Sequence, residues 1–135
     1  MCIRDRLGAA AVALRERRPL RLMPLLAEGR RLNEIGLCCG DVSDGLLREM
    51  EKFLAFSGAG CLLHATEIPS AEGATWEDAL ASGEESELVC VGPEALIRRA
   101  GLSPIGVLTE ERAVKVVGAD GLPVSLALRG YDHFA

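Results

Sequence analysis

Three oxygen-bearing side chains crowd one short stretch of the chain: Asp41, Ser43 and Asp44 within "GDVSDGLLREM", residues 40–50. Two carboxylates three residues apart, next to an apolar run, repel each other and lose hydration unless a cation joins them. Hard divalent cations take oxygen ligands, and Mg²⁺ characteristically uses one or two carboxylates together with substrate phosphates. The corner therefore has the composition of a place where Mg²⁺ joins protein carboxylates to a phosphorylated ligand. Helix capping is the simpler reading, because Asp and Ser oxygens accept the orphan N–H groups of a helix start, and a carboxylate suits the positive end of the helix dipole. Capping accounts for one of the three residues. On composition alone both readings stand. Gly45 lets the backbone come close to a ligand.

The corner needs a strand before it and a helix after it. Ile35-Gly36-Leu37-Cys38-Cys39 is an apolar run that leads in, and Leu46, Leu47, Met50, Phe53 and Leu54 recur at helical spacing behind it. A helix is expected over residues 44–56, broken by "SGAG" at 57–60. Upstream, residues 7–18 form a good helix by propensity that Pro19 stops, and residues 24–33 a second that Gly36 ends. Downstream come a strand over 61–69, a short helix over 76–81, a strand over 86–92 and a helix opened by Pro93. Residues 103–128 read as two or three strands with turns at "TEER" and "ADGLP". Strands alternating with helices before a β-rich end predict an α+β fold, a mixed β-sheet flanked by helices, with the long central helix on one face.

The 135 residues suit one domain with a real core, built mainly from Leu, Val, Ile and Ala because only three Phe, one Tyr and one Trp are present. A net charge of −5 argues against nucleic acid or an anionic membrane as the main partner. Acidic sites still bind nucleotides through divalent ions. No apolar run is long enough to span a bilayer. Five cysteines, with no CxxC pair, include Cys38, Cys39, Cys61 and Cys90 in apolar runs. They are expected as small buried residues in a reducing cytoplasm. The opening "MCIRDR" is unlike the rest of the chain in character, and residues 1–7 are expected to be a non-native leader or truncation scar ahead of a domain at 8–135.

Other chemistry-bearing residues read more plainly as structure. His64 lies in a strand, His133 in the tail, and Trp76 in a short loop helix where a packing anchor is expected. Arg15, Arg17, Arg18, Arg21, Arg30 and Arg31 form a basic group on the first two helices, without the interleaved aromatics that stack on bases. They fit a solvated face or a seam toward another domain. "GADGLP" is a turn, since no Lys-Ser/Thr pair comes after it to make a P-loop.

"DVSDGL" at a strand–helix junction, "SGEESEL" some forty residues on, and "GYDHF" at the C-terminus together resemble thiamine-monophosphate kinase. The resemblance covers the C-terminal half of that family, whose fold superfamily includes aminoimidazole ribonucleotide synthetase and selenophosphate synthetase. "GAAAVAL" is similar to the small-residue segment between the family's halves, and "RPLRLMPLLAEGRRLNEIGL" to its linking helix. The resemblance implies an aminoimidazole ribonucleotide synthetase C-terminal domain-like fold and ATP-dependent phosphorylation of thiamine phosphate to thiamine diphosphate. It implies Mg²⁺ at Asp41 and Asp44, ATP at Ser43, and thiamine phosphate at Glu84, or Glu87 in its place, and at Tyr131. It also implies an N-terminal domain, absent from this chain, and a homodimer in the full-length form. Ser82, Glu85 and Ser86 depart from the family's Gly-Gly-Glu-Asp-Tyr-Glu-Leu pattern. The alternatives are another ATP-using enzyme of the superfamily, or a non-catalytic binding or interaction domain.

Overall fold

Along a strand successive side chains point to opposite faces, and here that alternation sorts the apolar residues into two cores. The computed structural model describes residues 1–125, so Tyr131 and His133 lie outside the described residues. The chain runs β1 (Cys2–Ile3), α1 (Ala9–Arg15), α2 (Leu26–Glu34), β2 (Cys38–Asp41), α3 (Leu46–Ser57) and β3 (Gly60–His64). After a 3₁₀ turn at Ala65–Glu67 come α4 (Trp76–Ala81), β4 (Leu88–Val91), α5 (Glu94–Arg99), β5 (Ser103–Pro104), β6 (Gly106–Thr109) and β7 (Val114–Val117).

The α+β class holds, with the strands divided between two sheets where one was expected. The first has the order β2-β4-β1-β5 and is antiparallel throughout. The second, β6-β3-β7, is mixed: β3 runs antiparallel to β6 and parallel to β7. "TEER" therefore joins strands on opposite sides of β3, whereas "ADGLP" makes a tight turn closed by Gly118 N–H to Leu122 O at 3.0 Å. Cys2 and Cys90 face a core shared with Leu32 of α2 and Ile97 of α5. Their neighbours Ile3 and Val89 face the larger core, which also takes Leu46, Met50, Leu63 and Leu80.

The central helix is amphipathic as read: Leu46, Leu47, Met50 and Leu54 are buried, and Phe56 on the other side is 93% exposed. Trp76 packs against the larger core from α4, whose Thr75 forms a capping box with Asp78. The first helix is shorter than expected and ends at Arg15, with Arg17 at a φ of 52°. Cys38 is exposed and Cys39 half-buried, against the expectation that both are buried. The reason is position: β2 is an edge strand, and Cys38 faces away from the core that Cys39 packs against. Met1, Cys2, Ile3 and Leu7 are buried in the body of the fold, and Arg4, Asp5 and Arg6 between them are exposed. Cys2, Ile3 and Leu7 have no exposed surface, and the Met1 ammonium donates to Gly106 O at 2.9 Å.

Candidate functional site

The corner forms where β2 runs out of sheet partners and turns into α3. Asp41 is the last residue of β2 and lies opposite Leu88. The ladder then continues without regular strand. Val42 N–H donates to Glu87 O (2.8 Å), Glu85 N–H to Val42 O (3.2 Å) and Glu84 N–H to Ser43 O (2.6 Å). The segment 82–87 is thus laced to the corner through backbone, bond by bond. Gly83 sits so close that a Cβ there would lie 2.8 Å from Ser43 O.

Neither carboxylate occupies the cap position of α3. The residue at the cap position of α3 is Gly45, at φ 98° and ψ 148°, with no side-chain cap bond, a conformation open to glycine and strained for other residues. Asp44 instead turns to Lys52, whose Nζ lies 2.7 Å from Asp44 Oδ2 and 2.7 Å from Glu49 Oε1. Glu49 is buried, and the same Oε1 accepts from Ser43 Oγ and from Asp44 N–H, each at 3.4 Å. Hydrogen bonds that the Lys52 ammonium donates to Asp44 and then Glu49 hold its pKa above the usual range. The Lys52 ammonium thus bridges Asp44 and Glu49.

Ser43, Asp44 and Glu84 line one open cleft of about 680 Å³, whose far wall is Ala10, Ala11 and Leu14 of α1. Glu84 is exposed and held at a φ of 59°. Glu87 is outside the lining. Its Oε2 is buried without a hydrogen-bond partner, 3.9 Å from Arg4 Nη1. Burial, with the nearby charges of Asp5 and Glu85, raises its carboxyl above the usual range against the pull of Arg4. Asp41 is exposed at the strand end and is likewise outside the cleft lining. Tyr131 falls outside the described residues.

Three residues were missed as site elements from sequence, Glu49, its partner Lys52, and Glu85. Glu49 carried a local signal: it lies three residues before Lys52 on the helix after Asp44. Glu85 carried none, because its carboxylate bonds Ala9 and Ala10, in a helix far away in the chain. No group of three or more His, Cys, Asp or Glu side chains placed to hold a metal occurs among the described residues. The carboxylates that flank the Lys52 ammonium are Asp44 and Glu49, oxygen donors of the kind Mg²⁺ takes alongside water and phosphate.

No protein-family model matches the chain. Among curated proteins, the thiamine-monophosphate kinase of Methanopyrus kandleri is 34% identical over 87 residues, covering 57% of this chain and 28% of that protein. The thiamine-monophosphate kinase of Salmonella typhimurium is 29% identical over 135 residues, covering 87% of this chain and 42% of that protein. The chain thus spans less than half the length of these relatives, and the matches fall in their C-terminal part. Among solved structures, AaThiL complexed with AMPPCP and TMP superposes with a TM-score of 0.69 at 23% identity, over 98% of this chain and 50% of that one. The hydrogenase maturation protein HypE of E. coli superposes with a TM-score of 0.73 at 18% identity, over 98% of this chain and 50% of that one. The chain has the aminoimidazole ribonucleotide synthetase-like fold and matches the C-terminal part of thiamine-monophosphate kinases over most of its length.

Proposed function

We propose that this chain is the C-terminal domain of a kinase that uses ATP to phosphorylate thiamine phosphate, giving thiamine diphosphate. The observation that carries the reading is the cleft that gathers Ser43, Asp44 and Glu84, in a chain whose curated relatives are thiamine-monophosphate kinases. In this reaction a phosphate oxygen of the substrate attacks the γ-phosphorus of ATP in line, and no protein side chain becomes a covalent nucleophile. Catalysis is mainly positioning and charge neutralisation, and bound Mg²⁺ would supply the neutralisation.

In this reading Asp44 and Asp41 hold Mg²⁺. The Lys52 ammonium, which now bridges Asp44 and Glu49, is freed to face phosphate. Ser43 Oγ bonds the nucleotide phosphates, and Glu84 and Tyr131 hold thiamine phosphate. Of the two glutamates proposed for substrate, Glu84 has the cleft in its favour. An N-terminal domain closes the open mouth of the cleft, and the complete enzyme works as a cytoplasmic homodimer. Neither nucleic acid nor a membrane is a partner, in keeping with the acidic charge. No helix among the described residues is long and apolar enough to cross a membrane.

A second reading keeps the fold and changes the chemistry. HypE structures superpose as well as the kinase structures do, one of them described in complex with ATP, so another ATP-dependent reaction of the superfamily would use the same corner. A chimera decides between them. This chain replaces the C-terminal part of the Salmonella relative, and thiamine diphosphate formation is followed with ATP, thiamine phosphate and varied Mg²⁺. The kinase reading expects turnover that Asp44→Asn reduces at least about a hundredfold and that high Mg²⁺ restores only in part. A folded chimera that hydrolyses ATP without forming thiamine diphosphate favours the second reading. Unchanged turnover in Asp44→Asn removes Asp44 from the metal site.

A further inference from the structure

We propose that Glu85 is the positioning residue of this site, a side chain that docks the loop carrying Glu84 onto α1 and so fixes the shape of the cleft. The inference deepens the proposed function and rests on reading the cleft as a substrate site.

Glu85 is one of two buried charged residues among the described residues, with 7% of its surface exposed. Both its oxygens are used, and both by the same helix end. Oε2 accepts from Ala9 N–H and Oε1 from Ala10 N–H, each at 3.1 Å. Ser82 Oγ accepts the next donor, Ala11 N–H, at 3.2 Å. Helix starts leave such N–H groups without intrahelical partners, and α1 has no cap of its own, because Gly8 precedes it. Two side chains of the distant loop therefore satisfy three consecutive donors of α1. The helix whose Ala10, Ala11 and Leu14 form one wall of the cleft is tied directly to the segment that supplies the other wall.

The loop has reason to need the tie. Glu84 and Ser86, the neighbours of Glu85 on either side, have φ values of 59° and 53°. Residues other than glycine hold that left-handed conformation only where their surroundings impose it. Glu85 anchors the loop between them, and the Glu84 N–H bond to Ser43 O at 2.6 Å fixes it to the metal-side corner. With both anchors set, the exposed Glu84 side chain is presented at the cleft beside Ser43 and Asp44. Ser82 and Glu85 are two of the three positions that depart from the family's pattern, and in this chain they act together as one cap.

The test is native-state amide exchange on the chain itself, compared for wild type, Glu85→Gln and Ser82→Ala. Glu85→Gln keeps the shape but offers one acceptor oxygen in place of two. The expected result is exchange faster by about tenfold or more at the amides of Ala9, Ala10 and Glu84, with Val89 and Cys90 in β4 unchanged. Ser82→Ala, which removes only the Ala11 bond, is expected to act in the same direction more weakly, and it serves alone if Glu85→Gln does not fold. Wild-type protection at Glu84, or equal acceleration everywhere including β4, overturns the proposal. A second arm uses the chimera: Glu85→Gln raises KM for thiamine phosphate about tenfold and leaves KM for ATP little changed. Unchanged KM for thiamine phosphate in an active chimera also overturns it. The exchange result does not depend on the reaction, so a chimera that forms no thiamine diphosphate counts against the kinase reading while the amides still decide the role of Glu85.

Discussion

Glu84 and Glu87 are three residues apart and live in opposite surroundings. Glu84 faces open water at the cleft, whereas Glu87 has an oxygen buried without a hydrogen-bond partner, 3.9 Å from Arg4. Burial raises the Glu87 carboxyl above its usual range, so the folded state holds that proton more tightly than the unfolded state does. The linked stability is present below the unfolded value of about 4.3 and is lost as pH rises through the raised one. Glu87→Gln should therefore raise the melting temperature by a few degrees at pH 7.5, and the gap should close toward pH 4. Thermal unfolding across that range checks it. A gap that is the same at every pH would mean that ionisation of Glu87 is not the penalty. Nothing in "SGEESEL" announces this difference between its glutamates. It comes from Val42, which takes the backbone of both Glu85 and Glu87 and turns the latter inward.

At the scale of elements, the site depends on how closely the loop at 82–87 approaches the corner, and glycine permits the approach. Gly83→Ala would put a Cβ 2.8 Å from the Ser43 carbonyl, a contact that only backbone movement relieves. The expected cost is about 1–3 kcal/mol, together with loss of the Glu84–Ser43 bond. Gly29 gives the opposite sign. It lies inside α2, and an added Cβ would meet nothing nearer than Leu88 Cδ1 at 3.7 Å. Gly29→Ala should then stabilise by about 0.5–1 kcal/mol. Urea unfolding of both variants is the measurement, and two changes of the same sign would contradict the packing described. Local signals made several elements legible: Pro93 ahead of α5 and the apolar spacing that carries α3. What stayed hidden was pairing between distant segments. The division into two sheets, the edge position that exposes Cys38, and the tie from Glu85 to Ala9, 76 residues away, have no trace in a local window.

The whole molecule combines a folded body with a cleft that, under the proposed function, is shared with a further domain. Two apolar cores, one on each face of the first sheet, bury side chains from both ends of the described chain, among them Ile3, Ile105 and Val116. A body of that kind unfolds cooperatively without help. The site is different, because the cleft has Asp44 and Glu84 on one side, a small-residue helix on the other, and an open mouth. The curated relatives are more than twice as long as the part this chain matches. Phosphoryl transfer is governed by how completely the transferring group is surrounded by positioned charge, and an open cleft leaves much of it to water. The isolated chain should accordingly melt in a single cooperative transition yet turn over thiamine phosphate far below the rate of about 1 per second at the lower end of ordinary enzymes. Calorimetry paired with a thiamine diphosphate assay on the same preparation makes the comparison. A folded chain working at that rate or faster would show that the corner, α1 and the loop at 82–87 form a complete active site. A chain without a cooperative transition would show that the proposed N-terminal domain supports the fold as well as the chemistry.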